Sequence, residues 1–409
     1  MRTLTPRLST CAAFFVVSAL LVAGCDPEVA SGEDAGVPQV DAAADAGADT
    51  SVAPDVGTPI DAAEDASPAC DPCDYVPETS YDSTRALMDL TVTSAAGGRE
   101  LPVLLRLPEG ASGPLPVVIW AHGGSWGATK HTSHVAWSES FARAGYAVVH
   151  FSMVRPTPEQ LRQICMYVGV EEASSCEDLS VLGGISEDDE SGDNPFQSIT
   201  IARAEDPRAI IEALPRVAER AARGDVELDV SSVAVAGWSG GSQSVLQLAG
   251  AVRLYADDLP PYASESAAPS SFVALSPQGP GFSKFFEGAD GSSWDGVRGP
   301  TLVLTGAGDV KDANTLTGPI RRRAFELMPE GGKRLFYSTD EGDGIKHGSF
   351  NLEGLGDDDP RIDGLARALQ SSAIAFVDCH TRGRAQACAW LESDAAARMV
   401  GGLVERETK

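Results

Sequence analysis

The chain has 409 residues and a formal net charge of −28, with 59 acidic side chains against 31 lysines and arginines. That balance excludes the basic patches on which nucleic-acid binding depends, so no nucleic acid is expected as a partner. Apolar residues make up 43% of the chain, enough for a sizeable buried core.

Residues 1–24 read as a leader. Arg2 and Arg7 precede an apolar run from Cys11 to Val22, which is too short to span a bilayer and suits the core of a signal peptide. The run ends in Leu21-Val22-Ala23-Gly24-Cys25, which resembles the lipobox of bacterial lipoproteins. The resemblance implies cleavage before Cys25 and lipidation of Cys25. The chain would then be exported and held on the inner or outer membrane by acyl chains, facing the periplasm or the cell exterior.

Residues 25–84 read as a spacer. Between Asp26 and Thr84 there are fifteen Asp and Glu residues and no Lys or Arg, and the remainder is largely Ala, Gly, Pro, Val and Ser. Such a stretch buries too little apolar surface to offset its ordering entropy, and its charges repel, which predicts a disordered, extended tether. Fifteen of the 28 net negative charges therefore belong to the spacer rather than to a binding site.

Residues 85–409 read as one α/β domain of alternating strands and helices. Leu87–Thr93 and Leu101–Leu107 form a leading strand pair, turning at Gly97-Gly98. Leu115–Trp120 is a continuous apolar run, the sign of a strand buried on both faces. A helix follows over Val135–Arg143, ended by Gly145, then a strand over Tyr146–Phe151. Ile199–Arg223 predicts a long helix with Pro207 and Pro215 as kinks. The remaining strands are Ser232–Ala236, Phe272–Leu275, Leu302–Leu304 and Arg334–Tyr337, with helices at Ile320–Leu327 and Gly364–Phe376. Strands separated by helices imply a mostly parallel, twisted sheet with helices on both faces and ligands at the carboxyl ends of the strands. The stretch 152–198 fits no sheet element and is read as an insertion, either a cap over the site or a surface excursion.

Cysteines point to an oxidising compartment. With Cys11 in the leader and Cys25 lipidated, six remain, and local pairing gives Cys165–Cys176, Cys379–Cys388 and Cys70–Cys73. None has the partners of a zinc finger at the right spacing.

The most informative segment is Gly237-Trp238-Ser239-Gly240-Gly241, a G-x-S-x-G pattern between a strand and a helix. A serine on so sharp a turn is offered to substrate at the top of a sheet, and flanking glycines relieve the crowding there. Its hydroxyl needs a base, and the base needs an acid to orient it. After Ser239 only His347 and His380 are available. His347 follows a strand, whereas His380 ends the closing helix beside Cys379. Asp309 follows the strand at Leu302–Leu304 and is the candidate acid, with Asp312 a near rival and Asp340 and Asp343 more distant ones. Backbone N–H donors for an oxyanion are expected from Gly240 and from the glycine loop His122-Gly123-Gly124. His122 itself is expected to hydrogen-bond within the loop.

Together these residues resemble an α/β-hydrolase esterase of the dienelactone-hydrolase-like and platelet-activating-factor-acetylhydrolase-like branch. The matching pieces are Val117–Gly124, Gly145–Val149, Asp206 with Arg208, the elbow at Ser239, Thr305–Asp309 and His347-Gly348. The resemblance implies the α/β-hydrolase fold, Ser239 as nucleophile, His347 as base, Asp309 as acid, and Gly124 and Gly240 as oxyanion donors. Dienelactone hydrolases proper use cysteine where this chain has Ser239, and the family elbow commonly has His and a bulkier residue where this chain has Trp238 and Gly240. The expected activity is hydrolysis of a small-molecule or lipid-like carboxylic ester by a monomer that needs no metal or organic cofactor. A serine peptidase and a non-catalytic surface lipoprotein are the alternatives.

Overall fold

Apolar runs long enough to be buried on both faces assemble the centre of the molecule. A computed structural model describes residues 73–409, apart from 125–126, 128, 158, 161–162, 165–196, 255–260, 283–284, 312–315, 343 and 354–358, and gives the backbone alone at 197–201. The strands are β1 (Thr84–Thr93), β2 (Glu100–Pro108), β3 (Leu115–Ala121), β4 (Ala147–Phe151), β5 (Leu228–Trp238), β6 (Ser271–Leu275), the short pair β7 (Glu287–Gly288) and β8 (Gly291–Ser292), β9 (Thr301–Gly306), β10 (Lys333–Ser338) and β11 (Val404–Thr408). The main sheet has nine strands in the order β1-β2-β4-β3-β5-β6-β9-β10-β11. The block from β4 to β10 is parallel. β1, β2 and β11 are antiparallel to their neighbours.

The helices are α1 (Ala136–Arg143), α2 (Gln197–Glu212), α3 (Leu214–Ala222), α4 (Gly240–Leu248), α5 (Gly318–Glu326), α6 (Pro360–His380), α7 (Ala385–Glu392) and α8 (Ala395–Met399). Alternate strand residues point to opposite faces. Val117, Ile119, Val149, Val233, Val235 and Val303 pack with side chains of α2 to α5. Val118, Trp120, Val148, Ala234, Ala236 and Leu304 pack with α1, α6, α7 and α8. The sheet is thus covered on both sides, as an α/β arrangement requires. Among the described residues no helix is long and apolar enough to cross a membrane.

Chain order reverses direction between β3 and β5, since β3 is followed by β4 on one side and β5 by β6 on the other. The crevice above such a switch point is where open parallel sheets bind ligands. The glycine loop leaves β3 there and Ser239 leaves β5 there.

Some expectations are corrected. The spacer was expected to run to Thr84, yet Tyr75 is buried and donates through its hydroxyl to Asp378 at 2.7 Å, and its N–H donates to Ser371. Asp74 and Glu78 pair with Arg367 and Arg384, so the acids nearest the domain face arginines rather than water alone. The packed domain therefore includes residues from Cys73 onward. The long helix expected at Ile199–Arg223 is two helices broken at Ala213. Pro215 lies in the first turn of α3, where its missing N–H costs nothing, while Pro207 is accommodated inside α2. Elements after Phe376 had no counterpart in the sequence reading. There α6 continues to His380, α7 is stapled to it by the Cys379–Cys388 disulfide, and β11 closes the sheet edge. Cys73 is also disulfide-bonded. The leader, Cys25, Cys70, Cys165, Cys176 and most of the expected insertion lie outside the described residues.

Two buried histidines make stability depend on pH. His150, on β4, is fully buried and neither ring nitrogen has a hydrogen-bond partner among the described residues. Burial pushes it well below the ordinary histidine value, and neighbouring His122, His131 and Arg106 add to this. Burial likewise pulls His122 down to about 3, against a partial opposing effect of its bond to Gly123. Both are neutral in the native state and take up a proton only on unfolding. Their contribution is therefore complete above pH 6.5 and is lost as pH falls below it, by about 1.4 kcal/mol per pH unit for each. Urea midpoints are expected to fall between pH 6.5 and pH 5, a window above the carboxylate range. His150→Leu should flatten that slope by about half, and an unchanged slope would contradict the assignment.

Candidate active site

The elbow begins with a crowded turn. Ser239 has φ 52° and ψ −115°, a backbone conformation that side-chain-bearing residues rarely adopt. Its N–H donates to Leu275 O on β6, and Ser242 donates through both its N–H and its hydroxyl to Ser239 O. A side-chain carbon on Gly237 would come within 2.8 Å of the Gly241 backbone, and one on Gly241 within 2.0 Å of Ala121 O. Only glycine lets β5, the turn and the start of α4 approach β3 this closely. Strain of this kind is concentrated at functional sites, where the surrounding structure over-determines it.

His347 opens a short 3-10 turn, His347–Asn351, after β10. The turn is pinned by Trp137, whose indole N–H donates to Phe350 O, and by Ser349, whose hydroxyl donates to Gly344 O. Asp309 follows the Gly306-Ala307-Gly308 turn after β9. These elements bring three side chains into one chain of hydrogen bonds. His347 Nε2 lies 3.0 Å from Ser239 Oγ, and His347 Nδ1 lies 2.7 Å from Asp309 Oδ1.

Electrostatics assigns the protons. Burial alone would raise the Asp309 carboxyl, but the adjacent Arg321 guanidinium and the bond from His347 outweigh it and hold Asp309 below the usual value. An ionised carboxylate only accepts hydrogen bonds, so His347 carries its proton on Nδ1 and donates it to Asp309. Nε2 is then an acceptor for the Ser239 hydroxyl. The second carboxylate oxygen, Oδ2, accepts from Thr305 Oγ1 at 2.8 Å. Asp309 is sealed from solvent, while His347 is 14% exposed and Ser239 7% exposed.

Arg321, on α5, is fully buried behind this chain. Its Nε lies 3.2 Å from Asp309 Oδ1 and donates to Asp309 O, while Nη1 donates to Ser276 O and Pro277 O. Nη2 stands 3.3 Å from His347 Nδ1. The guanidinium thus neutralises the carboxylate and ties together the ends of β6 and β9. Arg321→Met is expected to cost about 3–5 kcal/mol of stability, because it leaves a buried carboxylate without its cation. Chemical denaturation measures this; a loss below about 1 kcal/mol would mean that the pair does not hold the site together.

Trp238 stacks on the His347 ring with centroids 4.8 Å apart and an interplanar angle of 29°, which shields one face of the imidazole. The same indole occupies the space beside Gly123, where a side-chain carbon would lie 2.2 Å from the ring. On the other side of the elbow, a side-chain carbon on Gly240 would lie 3.6 Å from Gly124 O. Gly240 therefore stands beside the Gly124 carbonyl. Gly240 opens α4, and N–H groups in the first turn of a helix have no intrahelical acceptor. Gly124 follows β3 with φ +73°. His122 holds this loop as expected: Met153 N–H donates to Nε2, so Nδ1 carries the proton and donates to Gly123 O at 2.8 Å.

Of the rival acids, Asp312 and Asp343 lie outside the described residues, and Asp340 accepts from Gly342 N–H instead of facing His347. His380 packs on Phe376. Sequence reading did not single out Arg321, Thr305 or Arg203, and it gave no role to Trp238. The only signal for Arg321 was a run of three arginines in a helix that must bury one face. Comparison with models of known protein families finds no match, and no curated protein matches the chain.

Proposed function

We propose that the protein is a serine hydrolase of the α/β-hydrolase type that cleaves carboxylic esters through an acyl-enzyme. The observation that carries this reading is the unbroken hydrogen-bond chain Ser239–His347–Asp309 on a strained strand-to-helix turn. The strand order, with the turn above its reversal point, supports the fold assignment.

In this reaction Ser239 Oγ bonds to the ester carbonyl carbon as His347 Nε2 takes its proton. The carbonyl oxygen becomes an anion beside the N–H groups of Gly124 and Gly240. Collapse breaks the bond to the alcohol oxygen, which leaves with the proton from His347. Water, deprotonated by the same imidazole, then releases the acid and restores Ser239. Asp309 keeps the proton-bearing nitrogen of His347 turned inward and balances its charge when it becomes imidazolium. The chemistry needs no metal or organic cofactor. Export as a lipoprotein anchored at Cys25, with an ester of small-molecule or lipid-like kind as substrate and a monomeric chain, completes the proposal.

The test is hydrolysis of p-nitrophenyl acetate, butyrate and octanoate by the full-length chain in detergent, beside a matched p-nitroanilide. Ester turnover well above anilide turnover is expected. Faster anilide cleavage would favour a peptidase, and no turnover of either would reject acyl transfer.

A further inference from the structure

One buried cation beside the site takes no part in the Ser239–His347–Asp309 chain. Arg203 comes from α2, and its side chain is buried. Its Nη2 donates to Gly124 O at 2.5 Å. A side-chain carbon on Gly240 would lie 2.1 Å from Arg203 Nη1. The guanidinium thus fills the space that the side chain of an ordinary residue after the serine would occupy.

The helix that delivers Arg203 is anchored by a second ion pair. One turn further along α2, Asp206 pairs with buried Arg99, which also donates to Val154 O at 2.8 Å and to Ala202 O at 3.2 Å. This fixes the rotation of α2 that directs Arg203 to the loop. Burial pulls Arg203 down to about 10, nearby Arg253 acts in the same direction and Asp206 opposes it, so the group stays cationic at neutral pH.

Two successive carbonyls of the glycine loop are therefore gripped, Gly123 O by His122 and Gly124 O by Arg203. In a trans peptide the N–H points away from the carbonyl. His122 thereby turns the N–H of Gly124, and Arg203 holds the carbonyl at the other end of the same residue. We propose that Arg203 is a positioning residue of the oxyanion site: it clamps the Gly124 carbonyl, packs against Gly240, and adds positive charge beside the donors. The proposal rests on the ester-hydrolase reading and accounts for the departure of Gly240 from the family elbow.

The test compares the full-length wild type with Arg203→Met, Arg203→Lys and Gly240→Ala, and with half-exposed Arg208→Met as control. Steady-state kinetics on p-nitrophenyl butyrate is paired with inhibition by butylboronic acid, which adds to a reactive serine as a tetrahedral anion. Arg203→Met and Gly240→Ala are expected to lower kcat about 10- to 100-fold with KM within about 3-fold, and to weaken the boronate by a similar factor. Arg203→Lys should recover part of the loss. Values of kcat and boronate affinity within about 2-fold of wild type in both Arg203→Lys and Gly240→Ala would overturn the proposal, even if Arg203→Met fails to fold. A kcat loss with unchanged boronate affinity would also overturn it, because general loosening does not select the tetrahedral state. A wild type with neither turnover nor boronate inhibition would instead reject the ester-hydrolase reading itself.

Discussion

Ser239→Ala is expected to lower kcat for ester hydrolysis about 10⁶-fold while leaving the fold intact. The size follows from the role: among the described residues no other nucleophile stands at His347 Nε2, so losing the hydroxyl removes the covalent step and not merely one contact. Stability should change by less than about 1 kcal/mol, since the turn is held by the backbone bonds of Ser239 to Leu275 and Ser242. A variant that keeps more than about one per cent of wild-type kcat would place the chemistry elsewhere.

Asp309→Asn is expected to have the second largest effect, a fall in kcat of about 10⁴-fold with the site still assembled. Asparagine has nearly the same shape, but its amide N–H₂ can face His347 Nδ1 and favour the tautomer whose proton sits on Nε2. That tautomer cannot accept the serine proton. The substitution also leaves Arg321 buried without its carboxylate, although three backbone carbonyls still accept from it. A stability loss of about 3 kcal/mol should therefore accompany the kinetic loss. The two are separable: Arg321→Met should destabilise at least as much, yet it leaves the carboxylate in place to orient the imidazole. If Asp309→Asn and Arg321→Met depress kcat equally in folded protein, Asp309 acts through stability and not through the tautomer.

Different parts of the molecule were legible in the sequence for different physical reasons. The parallel block of the sheet could be read because strands buried on both faces are continuous apolar runs, as at Leu115–Ala121. β11 could not, because an edge strand reading Val-Glu-Arg-Glu-Thr has no apolar face; its acids pair with Arg322 on α5, a contact that exists only after folding. Composition also misplaced the spacer boundary. An acidic average hides two tyrosines, Tyr75 and Tyr81, and Tyr75 finds its partner Asp378 about three hundred residues away.

At the site, Ser239, Asp309 and His347 were legible because each follows a strand and their order along the chain is the one the proposed reaction calls for. The arginines behind them were not. Arg321, Arg322 and Arg323 are equivalent in sequence, and only the rotation of α5 against the sheet buries the first and leaves the third half-exposed at Glu287. Arg203 sits among Ile, Ala and Glu in a helix with no single apolar stripe, so nothing local marked it as facing Gly124. Trp238 and Gly240 were visible as departures from the elbow that the sequence otherwise resembles, but their surroundings show only in space: one stacks on His347 and the other lies against a guanidinium.

The most direct measurement is labelling of the full-length chain with a fluorophosphonate, followed by mass spectrometry of the peptides. An activated serine is expected to take the phosphonyl group on Ser239, rapidly in wild type, slowly in Asp309→Asn and not at all in Ser239→Ala. A wild-type chain that stays unlabelled, or that carries the adduct on any other residue, would contradict the assignment of Ser239 as the nucleophile.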